Sequence, residues 1–159
     1  MVIRGVRGAV QADADTAEAI RSATRRLLEE LVRANLFESP DIVAAFFTVT
    51  DDLTAAFPAA AARDLGWTDV PMLCNREIPV PAALPRAIRV LLLVNTRVAP
   101  ANIKPVYLGA AQCLRPDLAA PVAAKPKKHG ETKKLRARLL GRSLSQEQAS
   151  TTSSEEERP

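Results

Sequence analysis

Histidine is almost missing from this chain, with a single one at position 129, and only two cysteines and six glycines occur among its 159 residues. Metal chemistry and histidine-based acid–base catalysis therefore have almost no material, and no metal or other cofactor is expected. Cys74 and Cys113 have no CxxC spacing and no histidine beside them. They read as two buried thiols of a reducing cytoplasm, in preference to a disulfide or a metal site. No apolar run approaches the roughly 18 residues of a membrane span. The opening "MVIRGVRGAV" lacks the apolar stretch of a signal peptide and already alternates like a strand. A cytoplasmic protein without membrane association is expected.

Charge of one sign is also lacking over most of the length. Met1–Leu118 holds 13 Lys/Arg and 13 Asp/Glu, so the net charge of +4 belongs to Ala119–Pro159, with 9 basic and 5 acidic residues. That distribution divides the chain into a domain over 1–118 and a tail over 119–159. The tail runs from Pro/Lys-rich through basic to Ser/Thr/Glu-rich and reads as disordered, with room for a transient helix near Lys133–Leu140. It licenses loose, salt-sensitive attraction to nucleic acid, but no specific recognition is expected without interleaved aromatics.

The domain alternates between strand and helix patterns. Val2–Ala9 reads as a first strand. In "DTAEAIRSATRRLLEELVRANL", Asp15 and Glu18 form a capping-box pattern, and Ala17, Ile20, Leu27, Leu28 and Leu31 form an apolar stripe. Arg25–Glu29 and Glu29–Arg33 are spaced to pair on the wet side. Ile42–Thr50 is β-branched and aromatic, hence a second strand. A short helix is predicted from about Pro58 to Leu65, and "VPMLCN" reads as a short strand or extended segment. "AIRVLLLVNT", Ala87–Thr96, comes next as the most apolar strand, and "VAPANIKP" has room for one helical turn. "VYLGAAQCL" is the predicted last strand. The order β-α-β-α-β-β implies an α+β domain, a mixed sheet with helices packed on one face.

Arg89 is out of place in that strand. Alternation puts it on the side of Ala87, Leu91 and Leu93, and both sides are apolar, so the strand is expected to be buried on two faces. A buried cation needs an anion or strong acceptors. Arg7 in the first strand and Arg115 directly after the last pose the same question, and Arg63 lies on the short helix. Each alone is explained by an internal ion pair or a snorkelling side chain. Several together point to a small anion, because guanidinium grips carboxylates with two parallel bonds.

The residues carrying these arginines also carry a resemblance. "IRGVRGA" at Ile3–Ala9, "DLTAAFPA" at Asp52–Ala59, "ARDLGWTDVPMLCNRE" at Ala62–Glu77, "AIRVLLLVNT", and "VYLGAAQCLRPDL" at Val106–Leu118 stand in the order found in one class of chorismate mutases. Met1–Leu118 thus resembles the trimeric, pseudo-α/β-barrel class, distinct from the all-helical one. The resemblance implies a homotrimer with each active site in a cleft between subunits. It also implies rearrangement of chorismate to prephenate, the branch point towards phenylalanine and tyrosine.

That pericyclic reaction breaks a C–O ether bond while a C–C bond forms, so it needs no nucleophile, base or metal. A protein can supply the compact chair-like conformer and charge complementary to the transition state. By the resemblance, Arg89 would meet the ether oxygen and a carboxylate, and Arg7 would bind a substrate carboxylate and help fold the enolpyruvyl arm over the ring. Ionised Glu77 would accept the ring hydroxyl's hydrogen bond and oppose positive charge on the ring. Cys74 would contact the same hydroxyl through backbone or thiol, and Tyr107 a carboxylate. Phe57 and Leu114 would form apolar walls, with Leu73 lining the same segment. Arg63 and Arg115 would sit at the cleft mouth. Ala60 replaces a lysine frequent in the family, which removes one peripheral cationic contact. The alternative is a non-catalytic trimer of this architecture that binds a small carboxylate.

Overall fold

The computed structural model describes residues 1–119; the remainder of the expected tail, with its transient helix near Lys133–Leu140, lies outside the described residues. The strands are β1 (Val2–Gln11), β2 (Ile42–Val49), β3 (Met72–Arg76), β4 (Ala87–Thr96) and β5 (Val106–Tyr107). The helices are α1 (Ala17–Asn35), α2 (Ala59–Asp64) and α3 (Pro116–Ala119), and single 3₁₀ turns occupy Ser39–Asp41 and Pro100–Asn102. Five strands form one mixed sheet in the order β3-β2-β4-β1-β5. β4 runs antiparallel to both β1 and β2, whereas β5 and β3 join the edges in parallel. This is the expected mixed-sheet α+β architecture. Among the described residues no helix is long and apolar enough to cross a membrane.

The core lies between α1 and one sheet face. Ile20, Ala23, Leu27, Leu28 and Leu31 of α1 are buried against Val6 and Val10 of β1, Phe47 of β2, and Ile88, Val90, Leu92 and Val94 of β4. Each such leucine contributes about 1.5–3 kcal/mol by leaving water. Gly8 sets how closely the layers meet. A Cβ there would stand 2.8 Å from the Val106 carbonyl oxygen and 2.9 Å from a Leu27 methyl. Only glycine lets α1 and β5 approach β1 that far.

Several expectations are corrected. The N-cap of α1 is Thr16, whose hydroxyl accepts from Ala19 N at 3.2 Å, not Asp15. Asp15 is drawn instead to the loop before α2, where it accepts from Thr54 N (2.8 Å), Thr54 Oγ1 (2.8 Å) and Ala55 N (3.0 Å). Ala17 is exposed because the stripe turns inward only from Ile20. On the wet side Arg33 pairs with Glu30, three residues away, while Arg21 and Arg25 reach across to Asp64 of α2. Asp64 thereby replaces Glu29 as the anion and ties the two helices together.

The last strand is much shorter than predicted. It ends at Tyr107, and Gly109–Leu114 is a 3₁₀ helix entered through Gly109 at φ 56°, a conformation that breaks a strand and suits glycine. Cys113 on this turn is exposed and Cys74 half-buried, so the two thiols are not a buried pair. The largest correction concerns β4, which is buried on one face only. Ile88, Val90, Leu92 and Val94 are 0–4% exposed, whereas Leu91 is 42% exposed. The helical layer covers the first face, and the described residues of one chain supply no second layer for the other.

Candidate active site

The uncovered sheet face holds the sequence-predicted cations. Arg7 on β1 is the Cα partner of Leu91 on β4, Ala9 that of Arg89, and Arg89 that of Thr48 on β2. Ala9 also pairs with Tyr107. Residues paired in this way project to the same side of a sheet. Arg7, Thr48, Arg89 and Tyr107 are therefore gathered by register alone, from four strands. They line a cavity of about 520 Å³, whose walls include Phe46, Leu91 and Leu114, with Arg115 at one side.

Two networks outside the cavity hold these strands in place. Asp52 accepts from Arg86 N with both oxygens (3.0 and 2.8 Å), and Ala87 N donates to Thr50 Oγ1 at 2.9 Å. Together they pin Arg86 at φ 51°, a strained conformation for a residue with a side chain, three residues before Arg89. On the other side, the Asn35 side chain donates to Lys104 O (2.9 Å) and accepts from Lys104 N (2.8 Å). That clasp fixes the approach to Tyr107.

Arg89 has an internal partner. Its Nε lies 2.9 Å from Glu77 Oε1, with the arginine side chain 48% exposed and the glutamate 11%. Glu77 comes directly after β3, and its backbone N–H donates to Val49 O at 2.9 Å. Thr48 Oγ1 donates to the same Glu77 oxygen at 2.6 Å. The contact is made at the Nε edge of the guanidinium, and the cavity lies beside it. Arg7 has no ion-pair partner among the described residues.

Arg115 is engaged differently. Its Nε and Nη2 donate to the two oxygens of Asp117 at 2.8 and 2.7 Å. This fork raises the guanidinium's pKa above its usual value, with a lesser contribution from Tyr107. Asp117 is lowered in turn, chiefly by Arg115, with Arg7 adding a small pull. The cavity margin thus holds one acid among cations, exposed enough to be displaced.

The remaining predicted residues lie elsewhere. Cys74 is the register partner of fully buried Phe47, so its side chain belongs to the core face. Leu73, partner of Phe46, projects on the cavity side but at the sheet edge, 59% exposed. Phe57 is 73% exposed, Arg63 is also exposed, and neither lines the cavity. Sequence reasoning missed Phe46, Thr48 and Leu91. The signal was present as alternation in β2 and β4, but the pairing of Thr48 with Arg89 needs a register that one sequence does not reveal.

A cavity of similar volume, about 530 Å³, lies over α1 and α2 among Glu18, Arg21, Ser22, Arg25 and Asp64. Its arginines converge on Asp64. The sheet cavity, in contrast, offers Arg7 and the outer edge of Arg89 beside a phenol and apolar walls. That arrangement fits a compact, multiply anionic molecule with an apolar body.

Comparison with known proteins gives the family. Residues 3–118 match the family model described as chorismate mutase type I. The chain is 52% identical over 118 residues to the chorismate mutase AroH of Thermus thermophilus, covering 74% of this chain and 97% of that one. It is 43% identical over 119 residues to the AroH of Bacillus subtilis, covering 74% and 94%. Among solved structures, a chorismate mutase from Clostridium thermocellum superposes with a TM-score of 0.68 at 44% identity, covering 69% of this chain and 98% of that chain.

Proposed function

The chain belongs to the chorismate mutase type I family and is an isomerase converting chorismate to prephenate in aromatic amino acid biosynthesis; we propose that the cavity of Arg7, Arg89 and Tyr107 is where it does so. The observation that carries this reading is the convergence of two cations and a phenol from β1, β4 and β5 on one apolar-walled space.

The chemistry rests on that arrangement. As the ether bond of chorismate stretches, negative charge gathers on its oxygen. A guanidinium already fixed at that place needs little reorganisation when the charge appears. Glu77 fixes Arg89 by its Nε edge and leaves the terminal nitrogens for the ether oxygen and a carboxylate. Arg7 and Tyr107 take carboxylate oxygens and fold the enolpyruvyl arm over the ring. Phe46, Leu91 and Leu114 restrict the molecule to its compact conformer, which lowers the entropic part of the barrier. Ionised Glu77 also opposes positive charge on the ring and accepts the ring hydroxyl's hydrogen bond. Arg115 adds attraction for the dianion once Asp117 gives way.

Phe57, Arg63 and Leu73 enter this scheme from a neighbouring copy. The reading is a homotrimer in the cytoplasm with a site at each subunit boundary, where the Cys74 backbone also faces substrate. It is supported by the exposure of Ile3 (53%), Leu73, Leu91 and Phe57 in the single chain, a set of apolar side chains that water does not favour. A non-catalytic carboxylate binder is disfavoured, since an acid against its cation would weaken anion capture. Loss of chorismate absorbance on adding purified protein tests the activity. Decay at the spontaneous rate would refute it, and an active monomer would refute the shared site.

A further inference from the structure

We propose that Thr48 is a positioning residue for the isomerisation, acting through Glu77 to hold the guanidinium of Arg89 in place. The inference rests on the chorismate mutase reading of the cavity and adds a residue to it. Three observations carry it. Thr48 is the register partner of Arg89 on one side and of Asn75 on the other, so it stands between the strand of the cation and the strand leading to Glu77. Its hydroxyl lies 2.6 Å from Glu77 Oε1, and a hydroxyl facing a carboxylate must be the donor. The same oxygen is 2.9 Å from Arg89 Nε.

Among the described residues, the other hydrogen bond that holds Glu77 is from its backbone N–H to Val49 O, at the start of a loop. Its carboxylate sits at the end of a side chain with three rotatable bonds, and Arg89 is half in solvent. Without the hydroxyl, the carboxylate keeps Arg89 as a partner but loses the fixed donor that sets its rotamer, and the guanidinium is aligned less tightly. Threonine suits the task because branching at Cβ restricts χ1 within a strand, which aims the hydroxyl before substrate arrives. Electrostatic stabilisation of a transition state depends on such prior alignment.

The test compares Thr48→Val, which keeps shape and removes the donor, with Thr48→Ser, which keeps the donor. Thr48→Val is expected to lower kcat on chorismate by about tenfold or more, the usual consequence of deleting a hydrogen bond to a charged group, while KM changes by less than about threefold. Thr48→Ser is expected to stay within about threefold of the parent. In a Glu77→Ala background, which removes the acceptor altogether, Thr48→Val is expected to add less than about twofold, because its route of action is already gone. Parent-like kcat in Thr48→Val, equal losses in valine and serine, or additive losses with Glu77→Ala would each overturn the assignment. The ¹⁵Nε–H resonance of Arg89 provides a readout independent of turnover. It is expected to be sharp in the parent and Thr48→Ser and exchange-broadened in Thr48→Val, and an unchanged signal would count against the proposal. A parent protein with no turnover would sink the mutase reading, with the resonance still deciding the role of Thr48. Should the valine variant not fold, Thr48→Ala takes its place with the same expectations.

Discussion

The two faces of β4 differ in every respect except sequence position. Ile88, Val90, Leu92 and Val94 sit at 0–4% exposure beneath α1, while Arg89 (48%) and Leu91 (42%) stand on the open side. One residue step separates the packing that holds the domain together from the cation assigned to the chemistry. Under the proposed assignment, the strand keeps stability and catalysis on separate side chains although both use the same backbone. The acid against Arg89 stands on the same open side, since Glu77 reaches it from just beyond β3, alongside Thr48 of β2, and not from the core.

Substitutions on the two faces should then fail in opposite ways. Arg89→Ala is expected to lower kcat by about 10²–10³-fold with a smaller change in KM and almost none in Tm. Leu92→Ala is expected to cost about 2–5 kcal/mol of stability while the folded fraction keeps its kcat. Thermal melts and initial rates on both proteins decide the matter. A large loss of Tm in Arg89→Ala, or a kinetic defect in correctly folded Leu92→Ala, would erase the division. A pure KM effect in Arg89→Ala would remove Arg89 from the ether oxygen.

Gly8→Ala probes the seam between the faces. The added Cβ would press on the Val106 carbonyl at 2.8 Å and on Leu27 and Leu31 methyls at 2.9 and 3.1 Å. Backbone cannot yield as a side-chain tip does, so a loss of about 1–3 kcal/mol is expected. Val106 precedes Tyr107, and KM should rise along with the loss. A lower Tm with unchanged KM would show that Tyr107 does not depend on this contact.

Sequence alternation placed Arg89 on the correct side of β4, and the cations of β1 and β4 were both recognisable as misplaced. Alternation does not tell whether an apolar face is covered by the chain's own helix or left for another molecule, which is why two-sided burial was expected and one-sided burial found. Phe57, Arg63 and Leu73 came from the resemblance, and the single chain leaves them away from the cavity. The short β5 was hidden because Gly109 reads equally as a strand residue or a break until its φ is known. Thr48 and Phe46 were hidden because their importance lies in what stands opposite them. Asp15 was read as a cap because its spacing suited one, yet it serves a loop nearly forty residues away.

That loop contact gives the smallest expected effect, and it concerns neither face. Hydrogen bonds from Thr54 N, Ala55 N and Thr54 Oγ1 stabilise the ionised carboxylate and hold Asp15 below its ordinary value of 3.8, the Thr54 backbone contributing most. A carboxyl depressed in the folded state stabilises the fold fully above its unfolded pKa, and that stability disappears as pH falls through the folded value. Asp117 and Glu30 are lowered as well, by Arg115 and Arg33, so the acid slope of the parent is shared. The difference in Tm between the parent and Asp15→Asn isolates the one group. It should be constant from about pH 7 to 5 and shrink below about pH 4 as the parent's own carboxylate takes up a proton. Because Asp15 is exposed, solvent screens the effect, and a shift of only a few degrees is expected. A difference that persists undiminished to about pH 2.5 would mean that shape, not charge, holds the loop carrying Phe57.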